Sequence, residues 1–184
     1  TGDRCRLCAR RQDHRPEETP MSKGRVWQYG DDINTDVIFP GRYTYHLMEP
    51  AEMAKHAMED LDPEFAKNVK PGDVVVAGKN FGCGSSREQA AACLRAAGVQ
   101  AVVAKSFARI YFRNAINLGL AVLQCEDASD ALKTGDEVEI DFAGGKIISG
   151  GRIFKFFPLP GSVIGIIEAG GLIEYTKKKL ASAR

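Results

Sequence analysis

No stretch of this chain approaches the roughly 18 consecutive apolar residues that a membrane helix needs. Neither sign of charge is in excess. The 25 Lys and Arg residues stand against 24 Asp and Glu, a formal net charge of +1. That balance gives no broad pull toward nucleic acid or a lipid surface. Histidine is scarce: His14, His46 and His56 are all there are. The five cysteines are too few and too scattered for a disulfide framework, their number is odd, and Cys83, Cys93 and Cys125 lie in or beside apolar segments. A reduced, cytoplasmic protein fits this usage better than a secreted one. No sequence repeat with a period of roughly 20–50 residues is visible.

The first twenty residues differ from the rest. "TGDRCRLCARRQDHRPEETP" has five arginines, four acids and Leu7 as its single large aliphatic residue. Residues 1–20 are therefore read as a disordered extension or a start artefact, and residues 21–184 as one domain. Cys5-x-x-Cys8 with His14 offers three ligands where a structural zinc site needs four, so no metal is assigned to it.

The whole chain has 44% apolar and 27% charged residues, ordinary for a globular domain with a core of its own. "VWQYG" reads as the end of a first strand, 24–29. "EPAEMAKHAMEDL" reads as a helix from Pro50, with Met53, Ala57, Met58 and Leu61 on one face. Next come "DVVVAG" (73–78), a helix over 86–97, "VQAVVA" (99–104), a helix over 107–118, and "LAVLQC" (120–125). Short apolar strands alternating with helices favour parallel pairing and right-handed crossovers. "GDEVEIDF" alternates apolar and polar residues, and after the "AGGK" turn "IISGGRIFKFF" reads as its hairpin partner. Gly170-Gly171 interrupts a last helical region. The fold class is α/β: a short parallel β-α-β-α-β core with a β-hairpin appendage.

The segment "KNFGCGSSREQA" (79–90) concentrates the candidate chemistry. Ser85-Ser86-Arg87-Glu88 fits the capping-box pattern, with Ser85 at the N-cap and Glu88 at N3, and that role alone would account for Ser85. A second reading is an anion site that also moves a proton. Gly82 and Gly84 bracket Cys83 and let a ligand approach backbone N–H groups, and a helix start favours negative charge. Arg87 is mildly unfavourable in a first helical turn unless it clamps a carboxylate. The segment lacks the G-K-[ST] ending of a phosphate loop and the glycine fingerprint of a dinucleotide site. A small carboxylate is the better fit. Arg109 and Arg113 share a helix face, and at least one of them reads as part of a solvated basic stripe. Asp36 is uninformative on its own, His46 and His56 show no partner, and Cys83 is a thiol beside a helix start with nothing else to support nucleophilic chemistry.

"DINTDVIFPGRY", "GDVVVAGKNFGCGSSREQA" and "AKSFARIYFRNAINLGL" together resemble the small subunit of 3-isopropylmalate dehydratase, the detached swivel domain of the aconitase family. The resemblance runs over residues 22–180. It implies a swivelling β/β/α domain active only with a large subunit, which would carry a [4Fe–4S] cluster; the scattered cysteines here cannot hold one alone. By the same resemblance, Ser85 acts as the base, in alkoxide form, on the proton beside a carboxylate. Ser86 and Arg87 grip substrate carboxylate oxygens, and Asp36 supports the site. The turn with Tyr43, Thr44 and Tyr45 reads the substrate's distal group. It lacks the arginine that relatives acting on homoaconitate place there. The expected substrate is a small hydroxydicarboxylate, 2-isopropylmalate, with 2,3-dimethylmalate or homoaconitate as alternatives. A non-catalytic dicarboxylate-binding module is the competing class.

Overall fold

The computed structural model describes residues 22–182 apart from residue 46. The readings of residues 1–20 and of His46 lie outside the described residues. Seven strands form one sheet in the order β4-β3-β2-β1-β5-β6-β7. Its parallel half contains β1 (Ser22–Gln28), β2 (Val74–Ala77), β3 (Ala101–Ala104) and β4 (Ala121–Gln124). The helices α4 (Gln89–Ala96) and α5 (Arg109–Asn117) make the crossovers between them. The antiparallel half contains β5 (Glu137–Asp141), β6 (Lys146–Ser149) and β7 (Arg152–Lys155). Strand β1 serves both halves: its first residues pair with β5, and Val26, Trp27 and Gln28 pair with β2.

Side-chain alternation along the strands sorts the core onto two faces. Trp27, Val75, Ala77, Val102, Ala104 and Val122 join residues of α4 and α5 on one face. Val26, Val74, Val76, Ala101, Val103, Ala121 and Leu123 face the other way, toward α6 (Glu126–Ala131) and the hairpins. The β2 and β3 strands are buried at every position, as expected of a parallel sheet covered on both faces. The sole tryptophan is tied in place by Asp73, whose buried carboxylate accepts from Trp27 Nε1 (2.9 Å), Arg25 N (3.0 Å) and Lys70 N (3.0 Å). Removing that carboxylate leaves the buried Trp27 N–H without its partner and strips two half-buried backbone N–H groups of theirs. Asp73→Ala is expected to cost about 2–4 kcal/mol, read as a shift in the denaturant midpoint.

Three expectations are corrected. The helix read as starting at Ser86 starts at Gln89, with Glu88 at the N-cap, so the capping box does not form. Its donors are used differently: Ser85 is bonded across to another segment, and positive φ at Gly82 and Gly84 holds the chain out of the helix. The helix from Pro50 stops at Lys55 (α2, Pro50–Lys55) because Met58 adopts φ +59° to bury its side chain and donates its N–H to Ile38 O (2.8 Å). Leu61 consequently lies exposed. The partner strand "IISGGRIFKFF" is two strands, because Gly150 and Gly151, both at positive φ, turn the chain back to pair β6 with β7. Helix α6 has no counterpart in the sequence reading; its six residues are too few to show a helical period.

The short α1 (Thr35–Ile38) follows β1, and a single 3-10 turn (Gly41–Tyr43) follows α1. Helix α3 spans Phe65–Asn68. The chain finishes in α7 (Gly161–Ala169) and α8 (Leu172–Ser182), broken at Gly170 as expected. Among the described residues no helix is long and apolar enough to cross a membrane.

Candidate functional site

Sheet-like pairing continues past the carboxyl ends of the parallel strands. Asn34 bridges to Cys83 and Phe81 bridges to Phe107, both in parallel sense. Gly82 donates to Ile33 O and Thr35 N to Cys83 O, each at 2.8 Å. The loops leaving β1 and β2 are thereby zipped together at the end of the sheet where open α/β folds hold ligands. Gly84 makes the approach possible. Its φ is +99°, and a Cβ there would lie 2.4 Å from Asn34 Oδ1.

The pairing sets Ser85 against Thr35. Thr35 is almost wholly buried, at 1% exposure, and its Oγ1 lies 3.0 Å from Ser85 Oγ. The same Thr35 oxygen accepts from Ser85 N at 3.1 Å, and Arg87 N donates to Ser85 Oγ at 3.4 Å. With the Thr35 proton turned toward Ser85, two donors meet on that one oxygen. Both interactions strengthen as the oxygen gains negative charge, which lowers the cost of deprotonation. Asn34 completes the frame: its Oδ1 accepts from Asp36 N at 2.9 Å and caps α1.

Asp36 and Arg87 form an ion pair. The Arg87 side chain is 25% exposed and that of Asp36 49%. Among the described residues, the guanidinium has no other side-chain partner. Its other N–H groups carry no side-chain bond among the described residues, and the guanidinium packs against Gly41, a planar group of the kind that suits a carboxylate. Ser86 is exposed, and Asn114 Nδ2 bonds its carbonyl at 3.1 Å, fixing the segment to α5. Arg109 and Arg113 are exposed on α5.

The structure therefore brings Ser85, Ser86, Arg87 and Asp36 together from segments about fifty residues apart. The 3-10 turn adjoins them through Gly41, where a Cβ would lie 3.1 Å from Asp36 Oδ1 and 3.2 Å from Arg87 Nη1. The three turn residues diverge. Tyr45 is 93% exposed, Thr44 Oγ1 is buried without a partner among the described residues, and Tyr43 stacks on His56 with ring centroids 4.0 Å apart. Sequence reasoning missed Thr35 and Asn34. The polar pair ahead of Asp36 in "INTD" was the available signal: an asparagine and a threonine before a carboxylate are the residue types that bond local backbone and neighbouring side chains. It also left His56 without a partner, whereas His56 Nδ1 lies 2.6 Å from Glu59 Oε2.

The three cysteines among the described residues do not converge. Cys83 is half-buried, with Sγ 3.5 Å from Asp32 O, whereas Cys93 and Cys125 are buried in the cores on opposite faces of the sheet. Burial pushes the Cys93 thiol far up, so it stays protonated. Among the described residues there is no group of three or more His, Cys, Asp or Glu side chains placed to hold a metal. The three described cysteines thus do not by themselves form the ligand set of an iron–sulfur cluster.

Residues 41–128 match the family description "Aconitase C-terminal domain". A 3-isopropylmalate dehydratase small subunit from Thermodesulfovibrio yellowstonii is 50% identical over 161 residues, covering 86% of this chain and 95% of the relative. An isopropylmalate/citramalate isomerase small subunit from Methanocaldococcus jannaschii is 48% identical, over 88% of this chain and 97% of the relative. A crystal structure of 3-isopropylmalate dehydratase from the latter organism superposes with a TM-score of 0.82 at 46% identity, covering 89% of this chain and 98% of that one. With half the aligned residues identical across nearly the full length of such a relative, the chain belongs to the family of 3-isopropylmalate dehydratase small subunits.

Proposed function

We propose that this chain is the small subunit of a hydro-lyase that isomerises 2-isopropylmalate and 3-isopropylmalate by dehydration and rehydration, in leucine biosynthesis. Its family membership supports the activity, and the convergence of Ser85, Thr35, Arg87 and Asp36 carries the assignment of roles. Residues 21–184 would act as one aconitase-like swivel domain in the cytoplasm. Ser85 Oγ, as the alkoxide, takes the proton from the carbon beside a substrate carboxylate and becomes a neutral hydroxyl; the Thr35 hydroxyl and Arg87 N–H stabilise the negative charge that the oxygen carries before the transfer. The Arg87 fork and Ser86 hold the carboxylate oxygens, and Asp36 orients the guanidinium. A [4Fe–4S] cluster on the large subunit would supply the Lewis acid for the departing hydroxyl. On return of water, Ser85 gives its proton back at the neighbouring carbon.

The substrate-reading turn supports a substrate with two carboxylates rather than three. Arg42, the one cation in the 3-10 turn, is bound to Glu59 and Asp60, at 2.8 and 2.9 Å, and offers no fork to a further carboxylate. That argues against homoaconitate. A second reading, turnover of the shorter 2-methylmalate (citramalate), is favoured by the name of the Methanocaldococcus relative.

Reconstitution with the cluster-bearing large subunit tests both. Turnover of 2-isopropylmalate by the complex, and none by the purified chain, is the expected result. Turnover of 2-methylmalate alone would select the second reading. Tight binding of a malate analogue by the lone chain, with no turnover in the complex, would leave only a dicarboxylate-binding module.

A further inference from the structure

The 3-10 turn, Gly41–Tyr43, has no side-chain N-cap, no buried residue and a helical length of only three residues, so its own hydrogen bonds do not fix it. The segment that follows α2 holds it instead. Met58 locks that segment to α1 through its left-handed conformation and its bond to Ile38 O. Three side chains project from it onto the turn. Glu59 Oε1 accepts from Arg42 Nη2 at 2.8 Å, and Asp60 accepts from Arg42 Nη1 at 2.9 and 3.2 Å. His56 stacks on the Tyr43 ring, and the Arg42 guanidinium sits 4.8 Å over the same ring. His56 Nδ1 in turn bonds Glu59 Oε2, so one carboxylate ties the arginine to the imidazole. Burial alone would raise the Glu59 carboxyl, but the bond from His56 and the Arg42 guanidinium together hold it below its ordinary value.

We infer that Glu59 and His56 are positioning residues for substrate selection: they set the pose of the Tyr43–Thr44–Tyr45 turn without touching substrate. The inference rests on the proposed function insofar as the turn reads the substrate's alkyl group. The turn meets the catalytic segment at Gly41, against which Asp36 and Arg87 pack. A shift of the turn therefore changes the space beside the carboxylate clamp. An isolated surface ion pair contributes little, but a bidentate guanidinium stacked on an aromatic ring and shared between two carboxylates forms a network.

The test has two parts. In the isolated chain, amide exchange at Tyr43 and Thr44, whose N–H groups bond Pro40 O and Gly41 O, is measured in Glu59→Ala and His56→Ala. Exchange is expected to quicken roughly fivefold or more, with His56→Phe, which keeps the stack, restoring part of the protection. In the reconstituted complex, Glu59→Ala is expected to raise KM for 2-isopropylmalate about fivefold, with kcat within about twofold. It is also expected to narrow the preference for 2-isopropylmalate over 2-methylmalate by a similar factor. Glu64→Ala, which breaks the exposed pair with Lys67, is the control and should move neither measurement. Unchanged exchange in Glu59→Ala would overturn the positioning role whatever the activity. Quickened exchange with an unchanged substrate preference would overturn the selection role. A wild-type complex inactive on both substrates would sink the functional reading, and the exchange result would still decide whether the cluster poses the turn.

Discussion

A complex built with Ser85→Ala should assemble normally and turn over 2-isopropylmalate about 10³-fold more slowly, or worse. Removing the Oγ deletes the proposed base, and positioned proton transfer contributes about 10²–10⁴-fold to rates. The loss should fall on kcat, because Arg87 and Ser86, which hold the carboxylate, remain. Ser85 is half-buried, and its backbone N–H still bonds Thr35 Oγ1 in the variant, so thermal unfolding should shift little. Size-exclusion of the variant complex checks assembly, and single-turnover kinetics separates chemistry from binding. A near-normal rate would reduce Ser85 to the residue that ends a turn ahead of α4.

Arg87→Lys is the second large effect, and it should look different. Charge is kept while the planar fork is lost, so the ammonium cannot face Asp36 and a carboxylate together in the same geometry. We expect kcat/KM to fall roughly 10- to 100-fold, mostly through KM, as befits a charged hydrogen-bonding group removed from a ligand. Asp36→Asn should cost less alone, and the double variant should cost less than the two losses combined, because both act on one guanidinium. Strict additivity would show that Asp36 works independently of Arg87.

Much of the parallel half of the fold was legible because the apolar runs "VVVA", "AVVA" and "AVL" are short and bounded by glycines and helical patterns. What escaped was set by tertiary contacts. The "SSRE" pattern satisfies the local rule for a helix cap, yet the partner of Ser85 is Thr35, fifty residues away, and no local rule reports that. Met58 fits a helical face in the sequence and leaves the helix because burying its side chain and bonding Ile38 outweigh a backbone penalty of about 1–2 kcal/mol. The Gly150-Gly151 pair was in plain view, but a four-residue strand on each side shows too few alternations to separate two strands from one. At the site, Arg87 stood out as a cation out of place near the expected helix start, whereas Asp36 was uninformative alone and the role given to Ser85 came only from the family resemblance. The polar pair Asn34 and Thr35, which holds them, went unread.

The sheet-like bridges beyond β1, β2 and β3 carry a consequence for assembly. Because Asn34 pairs with Cys83 and Phe81 with Phe107, the loops bearing Asp36, Ser85 and Arg87 lose their conformational entropy when the chain folds, not when a second subunit arrives. On this chain's side, docking then meets a finished surface. Association should follow a single bimolecular phase, free of a slow ordering step, and its rate should respond to salt and viscosity rather than to mutations that merely stiffen these loops.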